Sequence, residues 1–193
     1  LEVSSVAKLP AFSNNIRQMH VFYDPDFNGE NGHLTGEEFQ HCVKVLRQQE
    51  GNSIEIVNGH GLKAVATIDR IAKRELSYTI EELKTARPKD FSTHLMIAPT
   101  KNTDRIEWMI EKLAELQVDK VTFFESTNSV RKKLNINRLE KKVVSALKQS
   151  KGGYKTDIAD VIPWPQVCEE IDDKTLIACL GEASPYLFDS ITP

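Results

Sequence analysis

Residues 41–51, HCVKVLRQQEG, place His41, Lys44 and Arg47 on a short segment of a chain whose formal net charge is -3. Two cations and an imidazole at that spacing can hold phosphate oxygens by charge and N–H donation. The same spacing also fits a solvated helix face. A second set lies in PTKNTDRIEW (residues 99–108), where Lys101 and Arg105 flank the expected start of a helix. Helix N-termini carry unpaired N–H groups and a positive dipole end, so an anion is favoured there. The strongest electrostatic signal is SVRKKLNINRLEKKVVSALKQSKGGYK (residues 129–155). There Arg131, Lys132, Lys133, Arg138, Lys141, Lys142, Lys148, Lys151 and Lys155 face a lone Glu140. In a net-acidic chain this run fits a surface that tracks phosphates, or else a basic helix in solvent.

Other chemistries are poorly served. Neither GxGxxG nor GxxxxGK[ST] occurs, so no standard dinucleotide or P-loop site is encoded. His20, His33, His41, His60 and His94 form no HExxH or comparable metal pattern, and no GxSxG elbow is present. Cys42, Cys168 and Cys179 lack CxxC spacing and read as reduced, buried thiols of a cytoplasmic protein. Asp172 and Asp173 read as a turn, and Trp164, between two prolines, as a loop anchor. No apolar run is long enough to span a membrane, and neither a metal nor a membrane is expected as a partner.

These residues need elements to hold them. From Met19 to Leu83, MHVFY, SIEIV, KAVATIDRI and LSYTIEEL follow at close intervals with a glycine-containing turn, NGHG. Short strands so spaced predict an antiparallel barrel. One helix, residues 36–47, interrupts them, with Phe39, Cys42, Val43 and Leu46 on a single apolar face. TARPKDF (residues 85–91) reads as a linker. Beyond it, HLMIAP (94–99), KVTFFE (120–125) and TLIACL (175–180) read as buried parallel strands. The helices between them are residues 104–116, with Asp104 and Glu107 as a capping box, and 138–149. Residues 1–18 show little periodicity and read as a disordered arm or a remnant foreign to the natural chain.

Taken in order, HCVKVLR, EGNSIEIVNGHG, PTKNTDRIEWMIEKLAELQV, KVTFFESTNSV and RLEKKVVSALKQS resemble the SPOUT-class 16S rRNA uridine N3-methyltransferases, the RsmE family. The resemblance implies an α/β protein with a PUA-like, RNA-binding antiparallel β-barrel over residues 19–88. It implies a SPOUT parallel-sheet methyltransferase domain with a trefoil knot over residues 89–193. It further implies S-adenosylmethionine as cofactor, 16S rRNA of the small ribosomal subunit as partner, and a homodimer. His41, Lys44 and Arg47 are expected on RNA phosphates. Lys101, Arg105, Gln149 and Ser150 are expected to line an interdomain RNA cleft. Glu182 is expected beside the cofactor, and no residue is assigned as catalytic base.

The chain departs from the family in places. Ser126, Thr127, Asn128 and Ser129 stand where Ser-Glu-Arg-Ser is usual. Lys148, Gln149, Ser150, Lys151 and Gly152 stand where Glu-Gln-Ser-x-Arg is usual, and Gln117 replaces a usual glycine. The family's Gly-Pro-Glu-Gly-Gly loop and Leu-Arg-x-Glu-Thr-Ala segment, which form the knot and most of the cofactor site, do not occur before Pro193. The expectation is a longer protein that carries them beyond this sequence, without which the chain is inactive. A non-catalytic RNA-binding relative and a SPOUT enzyme with another RNA target remain the alternatives.

Overall fold

The computed structural model describes residues 19–127, 129 and 133–178. The chain divides into two units, one of residues up to Pro88 with Leu147–Tyr154, the other of Lys89–Ala146 and the residues from Lys155 onward.

The first unit is a five-stranded sheet: β1 (Val21–Tyr23), β2 (Gly32–Thr35), β3 (Ser53–Val57), β4 (Leu62–Ile71) and β5 (Glu75–Thr85), in the order β1-β3-β4-β5-β2. It is mixed, where the sequence pattern predicts an antiparallel barrel. The short spacing of β3, β4 and β5 does give antiparallel hairpins, but β1 pairs parallel to β3. The chain between β1 and β3 includes β2 and a helix, the long crossover that a parallel pair requires. Alternation along β4 sends Ala64, Ala66 and Ile68 into a core shared with Phe22, Phe39, Ile54, Ile56 and Leu76. The phenol of Tyr78, buried in that core, donates to Asp24 Oδ2 at 2.6 Å. Burial, then this bond, pushes its pKa far up.

The NGHG turn is organised by a buried asparagine. Asn58 Oδ1 accepts from the N–H groups of His60 (2.8 Å) and Leu62 (3.0 Å), and its Nδ2 donates to the Phe27 carbonyl. Gly61, at φ 97°, lies against the Tyr154 ring, where a Cβ would fall 2.8 Å from the phenolic oxygen. Only glycine meets both conditions.

The second unit is a three-stranded parallel sheet in the order β6-β7-β8, made of β6 (His94–Ile97), β7 (Lys120–Glu125) and β8 (Asp157–Pro163). Helices α2 (Thr103–Glu115) and α3 (Ile136–Ser150) connect consecutive strands, and α4 (Trp164–Glu169) follows β8. Ile106, Ile110, Ala114, Val121, Phe123, Leu139, Val143 and Ala146 form its core. The expected third strand at 175–180 is corrected: the place beside β7 belongs to β8, and residues 175–178 are exposed and pair with no strand of the described residues. An apolar run becomes a strand only where a neighbouring edge offers hydrogen bonds. Cys179 and Leu180 lie outside the described residues. Cys42 is buried as expected, whereas Cys168 is exposed.

The cap of α2 is also corrected. Asn102, one position before the helix, accepts from the N–H groups of Asp104 (2.8 Å) and Arg105 (3.3 Å). It satisfies the orphan donors that a capping box at Asp104 would have left open.

Candidate nucleic-acid interface

The segment carrying His41, Lys44 and Arg47 begins as α1 (Gly36–Gln40) and widens into a π-turn over His41–Val45. Phe39 and Cys42 are buried, and Val43 and Leu46 pack on the same core, so the predicted apolar face is the inward one. His41, Lys44 and Arg47 are consequently exposed. The His41 ring meets the edge of Phe22 at a centroid distance of 6.3 Å. Burial, and secondarily Glu38, push the Cys42 thiol up to about 11, so it is no nucleophile at neutral pH. Arg47 ends the segment at φ 53°, a left-handed conformation that costs a side-chain-bearing residue about 1–2 kcal/mol. Neither Lys44 nor Arg47 has an ion-pair partner among the described residues.

Gln149 and Ser150 occupy the last turn of α3, within the first unit, and both are exposed. That turn is tied to α1 through Glu38, which accepts from Lys148 Nζ at 2.6 Å and from the Tyr23 N–H at 3.1 Å. Lys151 Nζ reaches Glu55 at 3.0 Å, and Lys63 Nζ donates to the Lys151 carbonyl at 2.6 Å. Five of the seven candidate residues therefore belong to one unit: His41, Lys44, Arg47, Gln149 and Ser150. Lys101 and Arg105 belong to the other, exposed at the start of α2 near its Asn102 cap. Glu182, Asn128, Arg131 and Lys132 lie outside the described residues.

The long basic run proves to be largely engaged with acids. Arg138 Nε lies 2.6 Å and Lys142 Nζ 3.6 Å from the carboxylate of Glu107, which is only 6% exposed. Lys155 pairs with Glu140 at 2.7 Å, Lys148 with Glu38 and Lys151 with Glu55. Counting charges along the sequence missed this because Glu38, Glu55 and Glu107 come from distant segments. One signal was present. Glu107 stands at i, i+3 and i+7 with Ile110 and Ala114, on the stripe that faces inward.

His94 is no better placed for chemistry. It opens β6, at the amino end of the parallel sheet, with Nε2 2.7 Å from Thr122 Oγ1. Burial and then Lys120 lower its pKa, against Glu170. Ligands of open parallel sheets gather at the opposite, carboxyl edge. Among the described residues no cluster of His, Cys, Asp and Glu could hold a metal ion.

An RNA methyltransferase domain model matches residues 87–192, more than half of the sequence, and an RNA methyltransferase PUA domain model matches residues 34–81. The chain belongs to the RNA methyltransferase family. It is 27% identical over 147 residues to ribosomal RNA small subunit methyltransferase E of Bacillus subtilis, covering 72% of this chain and 57% of that protein. A probable rRNA-methyltransferase from Porphyromonas gingivalis shares 33% identity, with a TM-score of 0.68 over 77% of this chain and 63% of that one. Ribosomal RNA small subunit methyltransferase E from Neisseria gonorrhoeae, solved bound to S-adenosyl methionine, is 20% identical. That structure superposes with a TM-score of 0.70 over 80% of this chain and 66% of that one. The chain thus spans less than two thirds of the first two relatives' length. The fold is that of this RNA methyltransferase family: a PUA-like mixed sheet and a SPOUT-type parallel α/β sheet.

Proposed function

We propose that this protein transfers a methyl group from S-adenosylmethionine to N3 of a uridine in 16S rRNA of the small ribosomal subunit. The observation that carries the proposal is the order of matches along one chain, a PUA model followed by a methyltransferase model. In this reading residues 19–88 are the RNA-binding domain and residues 89–193 the methyltransferase domain. The latter is completed by a trefoil knot, and the protein works as a cytoplasmic homodimer.

Uridine N3 lies on the Watson–Crick edge and carries a proton, so the base must be unpaired before N3 can be reached. The proton must leave as the N–C bond forms. Bound S-adenosylmethionine supplies the electrophilic methyl group. Glu182, its expected neighbour, lies outside the described residues, and no described residue is assigned to the cofactor or to the departing proton. His41, Lys44, Arg47, Lys101, Arg105, Gln149 and Ser150 act by holding RNA, with the cations on phosphates.

The test is mass mapping of rRNA modifications in a deletion strain, with calorimetric titration of S-adenosylmethionine into the full-length protein. Loss of one N3-methyluridine and cofactor binding are expected. An unchanged N3-methyluridine level overturns the target. A non-catalytic RNA-binding relative is favoured by one feature, the turn at Ser126 and Ser129. The Ser129 N–H donates to the Ser126 carbonyl and the Ser126 N–H to the Ser129 hydroxyl, each at 2.9 Å, and Thr127 and Asn128 stand where the family has its Glu-Arg pair. RNA binding without cofactor binding would establish that reading instead.

A further inference from the structure

The sequence IDRIAKREL (residues 68–76) forms the tip of the β4–β5 hairpin and places Arg70, Lys73 and Arg74 close together. The Ala72 N–H donates to the Glu75 carbonyl at 2.9 Å, so Lys73 and Arg74 hold the two central positions of a tight turn. Side chains there have no strand on either side, and both are exposed.

Arg70 is outside for a different reason. Ala64, Ala66 and Ile68 point inward, and strict alternation would send residue 70 inward too. The register breaks between Ile68 and Arg70: Ile68 pairs with Tyr78 and Arg70 with Ser77, leaving Asp69 as the extra residue of a bulge. The bulge returns Ile71 to the core and turns Arg70 out.

The acids nearby are otherwise occupied. Asp69 accepts the Thr79 hydroxyl at 2.8 Å, and Glu50 accepts the Ile71 N–H at 2.8 Å. Glu75 is exposed and adjoins the turn. None of these three forms an ion pair with Arg70, Lys73 or Arg74 among the described residues. The loop after Arg47 runs beside this tip, through Gly51 N–H to the Ile68 carbonyl (2.8 Å) and Ile68 N–H to the Asn52 carbonyl (3.0 Å). Arg47 and the hairpin cations thus sit on adjoining exposed segments of one unit, while Arg138, Lys142 and Lys148 of α3 are engaged by Glu107 and Glu38, and Lys151 and Lys155 just beyond it by Glu55 and Glu140.

We propose that the β4–β5 hairpin tip, through Arg70, Lys73 and Arg74 beside the Arg47 loop, grips the phosphate backbone of RNA. It supplies sequence-independent affinity that the paired cations of α3 do not. The partner is a polyphosphate chain, because three cations on a turn offer charge and N–H donors but no shaped pocket to read a base. The inference rests on the RNA-binding reading above.

The test measures affinity of the full-length protein for a small-subunit rRNA fragment across salt concentrations, by fluorescence anisotropy. The Arg70→Gln/Lys73→Gln/Arg74→Gln variant is compared with Lys84→Gln/Lys133→Gln/Lys174→Gln, which removes equal charge elsewhere. The tip variant should bind more than about tenfold more weakly, with a salt slope shallower by about two to three. The control should change little, and Arg70→Lys/Arg74→Lys should keep both affinity and slope. Equal losses in the two neutralised variants overturn the assignment, as does no loss at the tip while Lys44→Gln/Arg47→Gln does lose affinity. Tip-dependent binding to phosphatidylserine vesicles with unchanged RNA affinity also overturns it. A wild-type protein that binds no RNA sinks the underlying reading itself.

Discussion

Single residues divide here into cations left for a partner and cations consumed by the fold. Lys44 and Arg47 are exposed and have no ion-pair partner among the described residues, and Arg47 holds a strained φ of 53° where a glycine would rest easily. Substituting both by Gln should weaken RNA binding in anisotropy titrations and leave S-adenosylmethionine binding unchanged. Equal RNA affinity in the double variant refutes their role. Arg138 is the opposite case. Among the described residues its loss leaves the buried Glu107 carboxylate with only Lys142 at 3.6 Å, whereas losing the carboxylate leaves two cations that water can reach. Arg138→Ala should therefore destabilise more, by about 2 kcal/mol, than Glu107→Gln, by about 1 kcal/mol. Solvent screening keeps both effects small, because the Arg138 side chain is 59% exposed. Urea unfolding of the two variants checks the order.

At the scale of elements, helix ends are where local rules and this sequence disagree. The Val118 N–H bonds the Leu113 carbonyl at 2.9 Å, and the Gln117 N–H bonds that of Ala114 at 3.0 Å. This is a Schellman end of α2, with Gln117 in its left-handed position at φ 58°. The usual family glycine at this position is thereby explained. Gln117→Gly should stabilise the protein by about 0.5–1 kcal/mol, since the bonds that close the motif use the backbone alone. A lowered melting temperature would show that the Gln117 side chain contributes more than its strain. Lys151 ends α3 in the same way, at φ 53°, with the Gly152 N–H on the Leu147 carbonyl at 3.1 Å. Its ammonium reaches Glu55, so a glycine there would relieve strain and lose an ion pair.

At the scale of the whole molecule, acid should weaken the second unit through Asp119. Burial raises its pKa, but the Lys89 hydrogen bond and those from Thr93 outweigh it and hold the group below its ordinary 3.8. A depressed folded pKa contributes stability that is present above 3.8 and lost as pH falls through the lower folded value. Asp119→Asn should be less stable than wild type at pH 7, with the gap in melting temperature closing as the pH is lowered towards 3. A constant gap would assign the effect to packing.

Much of the fold could be read in the sequence because it depends on local periodicity. The hairpin strands β3 to β5, the apolar face before Arg47, β7 and both long helices follow from spacing and turn residues. What local pattern could not carry were relations between distant segments. The parallel pairing of β1 with β3 depends on a crossover, and β8 took the sheet edge that an equally apolar run at 175–180 could have claimed. The charged residues show this most plainly. Nine cations between Arg131 and Lys155 look like one surface when counted along the chain. Folding brings Glu38, Glu55 and Glu107 onto several of them and leaves Arg70, set outward by a one-residue bulge, and Lys73 and Arg74 in the turn without such partners among the described residues. Charge content is a property of composition, but which charges remain for a partner is settled by desolvation and distance, and those exist only in three dimensions.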